Sequence, residues 1–397
     1  MLKESSAILK EILFKKDLSF LAFTLSIFLL PISINFSTFS LILSIALKLI
    51  QVALKRDKLF ASKALKHSAI IGLCFFAYIE VNSILQTDIY HNFLHFEQQY
   101  MHFALFFIAP ILLRNKSENK LLMYALFLGV ATAILYVFFS AIVHNLTFDK
   151  YTFEKQIDLH HTYLSMFILT FVNYSVVQKI IRKTDTSIAL KVLYVFLAAL
   201  SLAIMYLLDS KVSVFIFLFL FLIHSLPELS KKNTGYYIVF LVLILIVISA
   251  FINKVNVNYE SALDFRLQIW EASFKAFENN PIFGNLTSPE KDILNYNHYL
   301  NGKYYYLDSD LNSHNQFLSI LMRFGFFGFL ILFLFIINIF RKVNPRTKKL
   351  DIREGFGFFI IVLMVFYIEN ILDRHHGIVY TTLFYNYYLV ALENAER

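Results

Sequence analysis

Cysteine, proline, glycine and charge are all scarce in this chain of 397 residues, which has one Cys, six Pro and ten Gly. The single Cys74 lies in an apolar run, rules out an intramolecular disulfide and reads as a small core residue. So few Pro and Gly leave few places for a helix to break. Charged residues make up 16% of the chain, against a usual share of about 25%. No P-loop, HExxH or CxxC motif is present. In their place stand 58% hydrophobic and 17% aromatic residues and a mean hydropathy of +0.61. A soluble globule would struggle to hide that much apolar surface. The apolar runs are too long for the short alternating strands of a membrane barrel. The composition therefore predicts an all-α polytopic membrane protein.

A spanning helix needs about 20 mainly apolar residues, and that rule yields about twelve candidates. They lie near 18–34, 36–54, 68–85, 101–113, 121–143, 160–178, 187–207, 212–226, 235–252, 317–340, 355–372 and 378–392. The fourth, eighth and twelfth are short. The first residues, MLKESSAILKEILFKKD, read as a basic amphipathic leader rather than a cleavable signal. Lys and Arg collect in alternate connections, among them Lys15, Lys16, Lys55, Arg56, Lys58, Arg114, Lys116, Arg182, Lys231, Arg341 and Lys349. The positive-inside rule then puts both termini in the cytoplasm. It also accounts for the formal charge of +8 as topological, so no nucleic-acid partner is implied.

Among the connections on the external side, 253–316 is exceptional. Ordinary helix connections run about 2–8 residues, whereas this one has about sixty, rich in Tyr and Asn and with the only Trp. Within it, Leu263, Leu267, Trp270, Phe274 and Phe277 recur at helical spacing and predict an amphipathic helix near 261–279. Ser261 and Asp264 resemble a capping box, and Asn279, Asn280 and Pro281 stop the helix. Arg266 borders the stripe, about 60° from its centre at 100° per residue. It is either a half-buried cation aimed inward or a side chain reaching for the interface.

Several polar groups stand at the same side. His314 is at the mouth of the tenth span, followed by Asn315. Taken alone, such a His is more often a hydrogen-bonded structural residue than a catalyst. Arg323, nine residues further on, is expected on the opposite helix face, paired with a carboxylate; Glu369 is the candidate partner. His160 and His161 open the sixth span, Ser210 and Lys211 follow the seventh, and Arg374, His375 and His376 follow the eleventh. The histidine pairs raise zinc only weakly, because adjacent helical residues diverge by about 100°, and no metal ligand is assigned. Lys211, Arg266 and Arg374 supply cations suited to a phosphate or pyrophosphate. A His beside them suits proton abstraction from a hydroxyl, and the Tyr-rich loop suits stacking on sugar rings.

Two motifs make these residues familiar: FRLQIWEASFKAFENNPIFGN at 265–285 and SHNQFLSILMRFGFFGFLILF at 313–333. They resemble the Arg-x-x-x-Trp helix ending in Pro and Gly, and the His-Asn, Leu-rich, Gly-x-x-Gly segment, of the O-antigen ligase and O-antigen polymerase superfamily. Their order around a long external loop and the twelve-span layout are similar too. The resemblance implies glycan transfer from an undecaprenyl-pyrophosphate carrier at the periplasmic face of the bacterial inner membrane. It implies that Arg266 binds the donor pyrophosphate and that His314 is the general base, with Asn315, His161 and Arg374 as supporting residues. A further family arginine after a Ser at the start of a middle span is matched by Ser210 and Lys211. Lys there keeps the charge but loses bidentate phosphate binding.

The expected reaction is metal-independent and uses no cofactor: cations hold the pyrophosphate while His314 takes the acceptor's proton, with inversion at the anomeric carbon. Ligation to lipid A-core is favoured over polymerisation onto a lipid-linked repeat; transfer to protein hydroxyls is more remote. A secondary transporter also fits twelve spans, but internal repeats and broken helices are not evident.

Overall fold

The computed structural model describes residues 17–54, 57–86, 100–175, 177, 188–225, 259–286, 288–307, 311–340 and 350–396. Among them there are helices and turns but no strand. The helices are α1 (Leu18–Leu29), α2 (Ile34–Ala53), α3 (Lys63–Gln86), α4 (Leu105–Leu112, entered through a 3-10 turn at Met101–Ala104), α5 (Lys116–Val143) and α6 (Lys150–Ile157). Then come α7 (His161–Ser175), α8 (Ile188–Leu207), α9 (Lys211–Ser225), α10 (Tyr259–Asn279), α11 (Glu290–Leu300), α12 (Gln316–Phe340), α13 (Leu350–Ile368) and α14 (His375–Glu396).

Eleven of the twelve expected spans coincide with α1–α5, α7–α9 and α12–α14. The ninth, 235–252, lies outside the described residues, as do the leader and the basic residues at 179–183, 231–232 and 341–349. Among the described residues, four helices are long and apolar enough to cross a membrane: Ile34–Ala53, Lys63–Gln86, Lys116–Val143 and Gln316–Ile339. Four shorter apolar helices accompany them. Phe36, Phe39, Leu128, Phe139 and Phe196 are exposed on α2, α5 and α8, an apolar exterior that only lipid or another apolar partner would solvate.

The short twelfth span proves to be the long inner helix of the bundle. Almost every residue of α14 to Leu392 is buried. Burial by protein rather than lipid lets it carry Tyr380, Tyr385 and Tyr388, because their hydroxyls find protein partners. Tyr380 meets Thr170 at 2.5 Å, Tyr385 donates to the Phe335 carbonyl at 2.7 Å, and Tyr388 donates to Glu354 at 2.9 Å. At the end of the bundle away from the long loop, Arg114 bridges Asp17 and Asp57, and Lys48 reaches Asp57 at 2.7 Å.

One helix is broken, contrary to expectation. Within α12, Gly325 adopts φ 64° and ψ −169°, a conformation essentially confined to glycine. The break frees backbone groups, and the PIFGN segment (281–285) satisfies them. The Phe326 N–H donates to the Pro281 carbonyl at 2.8 Å, and the Asn285 N–H and side-chain amide donate to the Met322 carbonyl at 3.1 and 3.0 Å. Gly284 lies against Gly325 so closely that a Cβ on Gly325 would stand 2.4 Å from the Ile282 carbonyl oxygen. Irregular backbone inside an apolar bundle is tolerated where protein covers it, and here α3 does so. Tyr78 donates to the Phe324 carbonyl at 2.7 Å and Asn82 to the Phe283 carbonyl at 2.6 Å. The Pro-Gly end of one motif and the Gly-x-x-Gly of the other are thus two halves of one joint. Gly325→Ala is expected to destabilise the protein by more than the roughly 1–3 kcal/mol of backbone strain alone. Thermal melting of the purified protein in detergent checks this, and an unchanged midpoint would refute the joint.

Candidate active site

The head of α12 is fastened from three directions, and His314 sits at its apex. Asn315 caps the helix: its side-chain oxygen accepts the Phe317 and Leu318 N–H groups at 3.0 and 3.2 Å. Its own N–H donates to the Asn370 side chain at 2.9 Å. On the other flank, the buried Ser313 donates its N–H to Glu290 at 2.7 Å and its hydroxyl to Asn370 at 3.1 Å. The Ser313 carbonyl accepts the indole N–H of Trp270 at 2.9 Å. Asn370 in turn donates to Glu290 at 2.8 Å. With both neighbours pinned and buried, the chain turns through His314 at φ 45°, in the left-handed region that His, Asn and Asp tolerate better than most residues.

This turn pushes the imidazole outward. The His314 side chain retains 33% exposure, and its Nδ1 lies 3.4 Å from a Glu369 carboxylate oxygen. Facing a carboxylate with Nδ1 leaves Nε2 as the basic nitrogen. Burial disfavours ionised Glu369, but the hydrogen bond and charge of His314 outweigh it and hold the carboxyl below its ordinary range.

Beneath the turn lies a buried cation. Arg323 reaches Asp373 at 2.5 Å and Glu290 at 3.7 Å, with its guanidinium over Tyr100 and Phe324 at 5.4 and 5.1 Å. Glu290 also accepts the Ser319 hydroxyl at 2.5 Å. Arg323 is therefore structural and ion-paired, but not with Glu369, which faces His314 instead. The helical rotation between His314 and Arg323 does not apply either, because α12 begins at Gln316 and His314 lies outside it.

The helix bearing Arg266 also differs from expectation. α10 starts at Tyr259, so Ser261 lies inside it rather than capping it. Its buried face is Ile269, Ala272, Ser273 and Ala276, whereas Leu267 and Phe274 of the expected apolar stripe are about half exposed. Trp270 still faces the bundle, its ring 5.6 Å from that of Tyr367 and its N–H on Ser313. Arg266 is one turn earlier on the same helix, about 6 Å from Trp270 between Cβ atoms. It is partly buried.

The remaining expected residues are placed unevenly. Lys211 opens α9 and is exposed, behind Asp209 at φ 53° and the hydrogen-bonded Ser210–Ser213 pair. Arg374 is exposed beside Asp373 and within electrostatic reach of His160. Lys211, Arg266 and Arg374 have no ion pair among the described residues. His161 is already engaged, with Nδ1 2.6 Å from Glu154. Asn315 is a helix cap whose side chain is occupied by backbone. The structure thus joins His314 to Glu369, and to Trp270 on the helix of Arg266; no contact joins Lys211 to them. Around the loop, Tyr296, Tyr299, Tyr304 and Tyr305 are exposed and available to stack on a ring.

Sequence reasoning missed Glu290, Asn370 and Glu369 as the holders of His314. The available signal was the polar run from Glu369 to His376 at the end of an apolar segment, in which Glu369 reads as a partner for Arg323 and Asn370 goes unused. Residues 188–333 match the family model described as O-antigen ligase, an interval that contains both motifs. No curated protein matches the chain.

Proposed function

We propose that the chain, whose residues 188–333 match the family model described as O-antigen ligase, is a membrane glycosyltransferase of the O-antigen ligase and polymerase superfamily. It moves a glycan from undecaprenyl pyrophosphate to an acceptor hydroxyl at the periplasmic face of the inner membrane, with both termini cytoplasmic. The observation that carries this reading is His314 itself: a one-third exposed imidazole held in a left-handed turn by buried neighbours, with Nδ1 on Glu369.

In the proposed reaction the acceptor O–H bond breaks and its proton passes to His314 Nε2. The acceptor oxygen bonds to the anomeric carbon as the bond from that carbon to the pyrophosphate oxygen breaks. The electron pair leaves with the pyrophosphate, and the configuration inverts. Arg266, Lys211 and Arg374 offset the charge that gathers on the leaving group. Glu369 steadies the imidazolium that forms. Asn315 and His161 act by holding the scaffold. The exposed tyrosines offer rings for the sugar to stack on.

Removing the Glu369 charge has a calculable consequence. A hydrogen bond to a charged group contributes about 1.5–3 kcal/mol. At 3.4 Å this one belongs at the weak end, so Glu369→Gln should slow transfer roughly 10-fold. Protonation acts like the substitution. Because the folded carboxyl sits below its ordinary range, its contribution is in place above that range and fades as the pH falls through the depressed pKa. Because the carboxylate favours the charged form of the imidazole it faces, the acid limb of the variant's pH profile should move to lower pH than the wild type's; an identical limb would refute the role.

Ligation to lipid A-core is the preferred outcome, ahead of polymerisation onto lipid-linked repeats and transfer to protein. Incubating the purified protein with lipid-linked glycan and each acceptor separately decides among them. Product formed only on lipid-linked repeats would sink the ligase reading, and product on none of them would sink glycan transfer.

A further inference from the structure

The N-terminus of α7 brings together three groups that the sequence alone kept apart. His160 and His161 were discounted as metal ligands because adjacent helical side chains diverge. The helix, however, begins at His161, so His160 is free of that constraint and its ring centre lies 4.2 Å from that of His161. Glu154, from the separate helix α6, closes the cluster. Its Oε1 is 2.6 Å from His161 Nδ1 and 3.5 Å from His160 Nε2. One ligand atom from each residue lies within 4.8 Å of the others, and all three side chains are partly buried.

The cluster rests on rigid supports. Asp149 caps α6, accepting the Thr152 N–H at 3.0 Å. Phe153, next to Glu154, is fully buried against Phe148. The His161 N–H donates to Glu154 at 3.2 Å. Ionised carboxylate and imidazole are the forms that a metal takes.

We propose that Glu154, His160 and His161 form a binding site for a zinc-class divalent cation, separate from the residues that transfer the glycan. Two imidazoles and one carboxylate are a known zinc donor set that leaves the fourth tetrahedral position open to water or an anionic oxygen. Ligands about 2.1 Å from the ion stand about 3.4 Å apart in a tetrahedron. The His160–Glu154 separation already has that value, and the His161–Glu154 contact opens by less than 1 Å as the ion replaces its shared proton. Coordination through His160 Nε2 puts the ring proton on Nδ1, which gives up only the long 3.4 Å contact from the Thr162 N–H. His160 is within electrostatic reach of Glu369 and Arg374, so a bound cation adds positive charge beside the His314 turn.

The test uses the full-length, untagged protein in detergent, stripped with a chelator and then titrated with Zn2+ by calorimetry and with Co2+ by visible absorption. The expected result is one saturable ion per chain with tetrahedral cobalt bands. Glu154→Gln and His160→Ala should each weaken binding at least about 10-fold, the loss typical even of an outer partner. His298→Ala should leave it unchanged. Melting in chelator establishes that each variant folds, and Zn2+ should raise the midpoint of the wild type but not of Glu154→Gln. Absence of saturable binding, or binding that survives both substitutions, overturns the site whatever the glycan-transfer activity proves to be.

Discussion

His314→Ala should slow glycan transfer by about 10²–10⁴-fold, the usual contribution of a positioned general base. The loss belongs to chemistry rather than folding, because the bonds that hold the turn come from Ser313 and Asn315. Among the described residues the His314 imidazole has one polar partner, Glu369 at 3.4 Å. The substitution has one structural side effect: alanine is less comfortable than histidine at φ 45°, a strain of about 1–2 kcal/mol. His314→Asn removes that ambiguity, since asparagine tolerates the left-handed region and cannot act as a base. Both variants should lose transfer, and the asparagine variant should keep the wild-type melting temperature. The measurement is transfer from lipid-linked donor in membranes carrying equal amounts of each protein. Activity in His314→Asn within a few-fold of wild type would remove the histidine from the mechanism.

Arg323→Met should produce the largest loss of stability among single substitutions near the site, roughly 3–5 kcal/mol. Arg323 is 5% exposed and lies between Asp373 and Glu290. Methionine fills much of the same volume but leaves two carboxylates facing each other with no cation. Removing an ion and its partners together is far less costly than removing the ion alone. Adding Glu290→Gln and Asp373→Asn to Arg323→Met should therefore restore a large part of the loss. Glu290 also holds the Ser313 N–H, so unfolding of this network loosens the His314 turn before the rest of the bundle. Chemical denaturation in detergent, read beside transfer activity, tests both parts. A triple variant no more stable than Arg323→Met would show that the charges are not what the site balances.

The all-helical membrane architecture was legible from apolar run length, and eleven of twelve expected spans meet a helix. A helix near 261–279 and the two motifs were legible as well, because turn residues and periodicity are local signals. The faces of α10 were not. Its apolar residues form two surfaces, Ile269, Ala272 and Ala276 against protein and Leu267 and Phe274 outward. Lipid and protein interior are both apolar, so hydrophobicity does not distinguish them. The position of α14 was hidden for the converse reason: its tyrosines lower its apolarity, yet protein partners satisfy the hydroxyls of Tyr380, Tyr385 and Tyr388.

Partners were the other gap. Glu369 looked like the counter-ion of Arg323 by depth alone, but Asp373 and Glu290 take that place and release Glu369 to His314. Glu290 belongs to a helix whose polar sequence gives no sign that its first residue is buried. The broken helix at Gly325 was likewise invisible as a break, because its glycine reads as a packing residue until the PIFGN segment is seen to complete its hydrogen bonds. Local chemistry along the chain set the apolar helices, the helix near 261–279 and the two motifs that single out His314 and Arg266 as candidates. Which carboxylate meets which cation, which face of α10 turns inward, and how Glu154 reaches His160 and His161 were decided by tertiary structure. Those pairings join residues distant in the chain, and their energies depend on distance and burial that no local pattern encodes.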